Sequence, residues 1–255
     1  MQQLGYGNFL RTNLRMLRAP RRGTEMCGRF NVVSDPLMRL VNIITGEDLV
    51  IKDRLNLAPT EDVPVLLKTR AGDWTVRDMR WWLVPRWSDS AAPKRSMFNA
   101  RSETIAKSRA FRDPFERRRC VVLASGYYEW VMVNGVKMPN YIAPADDLGF
   151  AFAGLWDRWQ GEHKGEAVTL NSCTIITAAA SPGMDEIHSR MPVALSSDQV
   201  ERWIDNCTER AELIAMLAPE LRIRVSVTPM STYVNNSRNK GEECLEALGE
   251  SSILH

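Results

Sequence analysis

Cys27 follows an internal methionine in the run Met26-Cys27-Gly28-Arg29-Phe30. If translation starts at Met26, removal of that methionine before a small residue exposes Cys27 as the N-terminus. An N-terminal cysteine carries a thiol and a primary amine on adjacent carbons. Together they capture an aldehyde as a five-membered thiazolidine ring. The α-amine titrates near ~7.7–8.0, so a useful fraction is neutral and nucleophilic at pH 7. Cys27 could equally be a small buried cysteine in a first strand, a common fate for this residue.

Three more polar clusters could do chemistry. In Phe98-Asn99-Ala100-Arg101-Ser102-Glu103-Thr104, Asn99 could orient a nucleophile or bind a carbonyl oxygen, and Arg101 could grip a phosphate. The plain alternative is a helix start capped by Ser102 or Asn99, with Glu103 at its positive end. In Gly126-Tyr127-Tyr128-Glu129-Trp130, aromatics enclose a carboxylate. Desolvation would suit Glu129 to acid–base work. Alternatively, Glu129 lies on an edge strand and points to water. In Asp185-Glu186-Ile187-His188-Ser189-Arg190-Met191-Pro192, His188 beside Arg190 would tend to stay a neutral base; a capping or structural histidine is the alternative. The other histidines are His163, in a charged loop, and His255, at the C-terminus. Finally, Trp81-Trp82-Leu83-Val84-Pro85-Arg86-Trp87, Lys94-Arg95 and Arg117-Arg118-Arg119 interleave aromatics with cations. That mixture suits single-stranded nucleic acid, whose bases stack while cations follow phosphates. Core tryptophans with a solvated arginine face are the alternative, and Trp81 reads as core.

These groups must be positioned by 255 residues, 44% hydrophobic and 25% charged, enough for a sizeable core. No apolar run approaches the ~18–20 residues that span a membrane. The formal net charge is +2, and residues 1–25 alone hold five arginines against Glu25, a local +4. The remainder is therefore at −2, and any contact with nucleic acid must use a local basic stripe. The five cysteines include no CxxC pair, and three histidines without paired spacing give no zinc site. Reduced thiols fit a cytoplasmic protein. There is no GxGxxG or P-loop, so neither a nucleotide cofactor nor a metal is expected. The first 25 residues lack a secretory h-region and read as a leader from an upstream start.

Short β-rich runs dominate. Residues 29–33, 63–68, 74–84, 119–123, 127–133, 150–156, 172–177 and 223–227 read as strands. Asn134-Gly135 between 127–133 and 136–141 signals a hairpin, since both turn positions tolerate φ > 0. Helices are expected at 36–43, 113–118, 197–206 with Ser197 as a cap, and 208–217 with Thr208 as a cap. In the last, Leu213, Ile214 and Leu217 share a face. The pattern gives an α+β fold: a single domain with a mostly antiparallel, barrel-like β core and flanking helices.

Taken together, MCGRF, NLAPT, WWLVPRW, FNARSET, FRDPFERRRCVVLASGYYEW, FAGLW and SCTIITAAA with IHSRMP closely resemble the SRAP family, the SOS response-associated peptidases or abasic site processing proteins. The likeness runs from about Met26 to Glu246 and includes Thr228-Pro229-Met230-Ser231-Thr232-Tyr233-Val234-Asn235. It implies a leader at 1–25, an SRAP domain at 26–246 and a tail at 247–255. It further implies a monomeric, DNA-associated protein whose partner is single-stranded DNA with abasic sites, without cofactor, metal or membrane.

By the same resemblance, Cys27 reacts with the ring-opened aldehyde of the abasic site, giving a covalent thiazolidine DNA–protein crosslink. Asn99 positions it and the sugar, Glu129 moves protons, and His188 contacts the sugar hydroxyl or phosphate and shares those transfers. Arg29, Pro59, Trp87, Arg101 and Arg190 line the DNA path. The family name also allows a thiol (auto)peptidase built on Cys27, His188 and Asn99, and a non-catalytic single-strand binder is a third reading. Two features depart from the pattern: many relatives have Gly where this chain has Trp82, and the leader makes the Cys27 amine an amide.

Overall fold

Residues 119–124 and 150–155 are almost continuously apolar, as strands covered on both faces must be. In a computed structural model that describes residues 28–92, 95–163 and 165–254, they are buried throughout. They form β6 (Arg119–Ala124) and the start of β9 (Phe150–His163). Cys27 and the leader, Lys94 and His255 lie outside the described residues.

β9 pairs with β6 on one edge and with β10 (Glu166–Ala179) on the other. β6 pairs with β3 (Asp62–Lys68), and β3 with β4 (Trp74–Trp81). β4 returns to β10 in parallel, closing a five-stranded barrel. Beyond the end of β4, β10 also pairs in parallel with β5 (Asn99–Arg101). Its other edge takes β11 (Arg190–Pro192), while β12 (Ala194–Leu195) pairs with β9.

A second, antiparallel sheet runs in the order β14 (Ser252–Leu254), β13 (Val225–Pro229), β8 (Val136–Pro144), β7 (Gly126–Val133), β1 (Phe30–Val32) and β2 (Arg54–Leu57). Its turn at Asn134-Gly135 has φ of 49° and 80°, the hairpin geometry expected from the dipeptide. Its inner face packs on the barrel. Tyr127 of β7 lies 5.9 Å from both Phe150 and Phe152, and Phe30 of β1 meets Trp81 of β4 edge-on at 4.8 Å. Gly126 is required here. A Cβ would stand 2.5 Å from the Tyr141 ring and 2.7 Å from the Ile142 carbonyl oxygen. The architecture is the α+β single domain expected, with two parallel pairings inside its antiparallel framework.

Among the described residues four helices flank the strands: α1 (Ser34–Thr45), α2 (Arg112–Arg117), α3 (Ser197–Ile204) and α4 (Arg210–Met216). Three sequence expectations are corrected. The cap of α3 is Ser196, in a capping box with Gln199, rather than Ser197. Thr208 does not cap α4, because its hydroxyl donates instead to the Arg202 carbonyl at 2.6 Å. Ile214 is 51% exposed, whereas Leu213 and Leu217 are buried. Arg119 ties α2 and α3 to the barrel by donating to the carbonyls of Phe115, Glu116, Trp203 and Asp205 at helix ends. Among the described residues no helix is long and apolar enough to cross a membrane, and no cluster of His, Cys, Asp or Glu could hold a metal ion.

Candidate functional site

Glu129 sits on β7 between β1 and β8, not on an edge strand, and is only 5% exposed. The ladder pairs Phe30 with Tyr127, and Tyr128 N donates to Arg29 O at 2.9 Å. Continuing that register places Gly28, the residue after Cys27, opposite Glu129. Strand residues two apart share a face. Glu129 therefore faces the inter-sheet space with Tyr127, and Gly28 shares that side with Phe30.

Aromatic packing carries this position across to the barrel. Behind Phe30, Trp81 is fully buried and meets Phe98 edge-on at 5.6 Å. The Trp81 indole N–H donates to the Phe98 carbonyl at 2.8 Å. Phe98 leads directly into β5, so the helix start considered for this motif is replaced by a strand. Asn99 pairs with Ile175 and Arg101 with Thr177 of β10. Asn99 is half-buried and Arg101 exposed. Trp82, half-buried, lies 5.7 Å from Phe98. The loop containing Pro59 joins the same end through Thr60 N, which donates to Trp81 O at 2.9 Å.

His188 follows a short 3-10 turn (Met184–Glu186) at the far edge of β10. Its backbone N–H donates to Met184 O, and its Nδ1 accepts the Arg190 amide at 3.1 Å. An Nδ1 that accepts this amide leaves Nε2 as the ring nitrogen able to donate. Arg190 reaches back across Thr177. It donates to the Thr177 carbonyl at 2.6 Å and holds Glu103 by two bonds of 2.8 and 3.0 Å. This pairing draws the Glu103 carboxyl below its ordinary range. Arg190 thus clamps the β5 turn to β11 and spends most of its donors there.

Arg29 is held by a network the sequence reading missed. Its Nη1 donates to Asn56 Oδ1 at 2.7 Å and to the Val234 carbonyl at 2.9 Å, and its guanidinium lies 5.5 Å from the Trp130 ring centre. Burial pulls the Arg29 pKa down from its ordinary value, with Glu61 opposing. Asn56 has a left-handed φ of 53°, which asparagine tolerates. Its amide donates to the carbonyls of Asn236 and Asn239 at 3.0 and 2.8 Å. Asn31 accepts the Asn56 N–H and donates to the Tyr128 hydroxyl, which in turn donates to the Cys244 carbonyl at 2.6 Å. Lys240 closes the group onto Glu61 at 2.7 Å. Residues 234–244 are thereby strapped over β1 and β2. Only the unusual Asn56 within NLAPT hinted at this.

The structure therefore gathers Asn99, Arg101, His188 and Arg190 at one end of β10. Glu129 lies on the facing sheet, on the side of Phe30, Trp81 and Phe98, whereas Arg29 points from the other face of that sheet into the strap. Trp87 is not joined to this group. It is 47% exposed, and the Arg109 guanidinium lies 4.1 Å from its ring centre. An imidazole and a carboxamide at one strand end, with a buried carboxylate on the facing sheet, are groups that can move protons and hold a polar reactant.

A family model described as SOS response associated peptidase (SRAP) matches residues 26–237. The abasic site processing protein YoaM of Bacillus subtilis is 32% identical over 230 residues, spanning 87% of this chain and 98% of that protein. The abasic site processing protein HMCES of Xenopus tropicalis is 34% identical over 223 residues, spanning 76% of this chain and 65% of that one. A crystal structure of a protein from Bacteroides thetaiotaomicron superposes with a TM-score of 0.73 at 23% identity, covering 87% of this chain and all of that one. At that identity the likeness is one of fold.

Proposed function

The chain belongs to the SOS response-associated peptidase (SRAP) family, and on that premise we propose that it captures abasic sites in single-stranded DNA through Cys27. One observation carries this reading. A carboxylate only 5% exposed, Glu129, faces the inter-sheet space opposite Gly28, the residue that follows Cys27.

The chemistry needs Cys27 as the first residue. Its neutral amine adds to the aldehyde carbon of the ring-opened sugar, forming a C–N bond. Glu129 takes the surplus proton from that nitrogen and passes it to the alkoxide, giving the carbinolamine hydroxyl; it then carries the proton released by the Cys27 thiol to that hydroxyl, which leaves as water. The Cys27 thiolate then adds to the iminium carbon and closes the thiazolidine, with one water released overall. Asn99 holds the sugar and the nucleophile. The His188 Nε2–H donates to the sugar oxygen, Arg101 meets a flanking phosphate, and Arg29, Pro59, Trp87 and Arg190 shape the DNA path. With residues 1–26 attached, the nitrogen is an amide and only reversible thiol addition remains.

The test uses the chain started at Met26 and a single strand with one abasic site. A heat-stable adduct is expected, absent in Cys27→Ala and slower in Asn99→Ala and Glu129→Ala, with reversal also altered in the latter. Equal adduct from Cys27→Ala, or none from the parent, sinks the proposal. Lesion-independent binding alone would favour a simple single-strand binder. The peptide bond before Cys27 motivates a second reading, self-cleavage by Cys27 with His188 and Asn99. It predicts loss of the leader from the purified full chain unless Cys27 is replaced, and an unchanged intact mass counts against it.

A further inference from the structure

A groove of about 870 Å³ opens at the end of the barrel away from the site just described. β6 begins at its wall with Arg119 and ends beside β1, where Ser125 N donates to Asn31 O. Six residues of strand separate the two ends by ~20 Å. Eight cationic side chains and a single acidic one, Asp205, line the groove.

Those cations fall into two classes. The floor is neutralised within the protein. Buried Asp157 accepts from Arg86 and forms an ion pair with Arg118, each at 3.1 Å, Asp113 pairs with Arg118 and Arg117, Lys68 pairs with Glu201, and Arg119 is spent on helix-end carbonyls. The rim is not. Arg70, Arg77 and Arg158 are exposed, and none has an ion pair among the described residues. The chain from residue 26 onward has a formal charge of −2, so this concentration of positive charge is not a by-product of a basic composition. Like charges crowded in one groove repel, and a bound polyanion relieves that repulsion. The half-buried Trp156 adds a ring to the same wall.

We propose that this groove is a second nucleic-acid contact, in which Arg70, Arg77 and Arg158 hold the phosphodiester backbone of a single strand while Trp156 offers a face for a base. Stacking on the open part of this half-buried ring suits an unpaired strand over a duplex. The inference stands apart from the chemistry at Cys27, because it requires neither a free amine nor a lesion.

The experiment measures binding of the full chain to an unmodified oligothymidylate across a salt series. Arg70→Ala/Arg77→Ala/Arg158→Ala is compared with the charge-matched Arg39→Ala/Lys52→Ala/Arg224→Ala, whose residues are exposed outside the groove. Releasing three single-strand phosphates should make the log–log salt slope shallower by about 2. Affinity at low salt should fall about tenfold or more, and the control should keep the parental slope. Arg→Lys at the same three sites should restore the slope, and Arg→Gln replaces Ala if the first variant does not fold. Equal slopes for the two triple variants overturn the proposal. So does displacement by pyrophosphate at matched ionic strength, which marks a small-anion site, or tighter binding of a duplex of equal length. Absence of an abasic adduct with the slope difference intact would sink the proposed function and leave the groove standing.

Discussion

Arg190 and Glu103, 87 residues apart in the chain, meet in a two-bonded pair of 2.8 and 3.0 Å. The pair joins β11 to the turn after β5 and so fixes the spacing between His188 and Arg101. Half the Glu103 side chain is exposed, which limits its contribution to roughly 1 kcal/mol or less. The folded-state pKa of Glu103 lies below its ordinary value near 4.5. Its stabilisation is therefore full above that value and is lost as pH falls through the depressed one. The melting-temperature gap between the parent and Glu103→Gln should be constant at neutral pH and close in acid. A gap independent of pH would show that the pair contributes nothing electrostatic.

Tyr128→Phe removes a buried hydroxyl that accepts from Asn31 at 2.8 Å and donates to the Cys244 carbonyl at 2.6 Å. Both partners would be left unsatisfied, at a cost of about 1–3 kcal/mol. Urea unfolding of the two proteins reads this directly.

Asn56→Gly keeps the left-handed backbone but deletes the amide that straps residues 236 and 239. Several hydrogen bonds of about 1 kcal/mol each are lost, so local opening should rise at least about tenfold. Cys244 reports it, because that thiol is buried and its pKa is raised by burial. Alkylation mapped by mass spectrometry should speed up at Cys244 while the fully buried Cys120 and Cys173 remain protected.

Asp157→Asn removes a charge that is 1% exposed and serves two arginines. Arg118 would keep only Asp113, and breaking a buried pair costs about 3–5 kcal/mol. Thermal unfolding should show a loss of that size, against little change for Asp35→Asn, whose pair with Arg39 is exposed.

The hairpin at 134–135 was legible because two adjacent residues specify it. β5 was not. Three residues have no periodicity to detect, and the strand exists because β10 offers a free edge beyond Trp81. The aromatic neighbours of Glu129 left burial and an edge-strand position both open, and its central, buried place between β1 and β8 depends on strand order, which local sequence does not encode. The same limit hid the partner of Arg190 and the acceptors of Arg29. Side-chain chemistry named the donors, and long-range closure chose what they meet. Thr208 looked like a cap by type, yet a carbonyl of the preceding helix claimed its hydroxyl first.

The Val234 carbonyl that receives Arg29 stands 205 residues after it. Nascent chain emerging from the ribosome carries Arg29 and Asn56 long before their acceptors at 234, 236 and 239 exist. The first strand can pair with β7 during synthesis, but its guanidinium waits until residue 234 has been made. A product cut short before residue 234 lacks that lock, so the segment that follows Cys27 is secured only once residues 234–239 have been made.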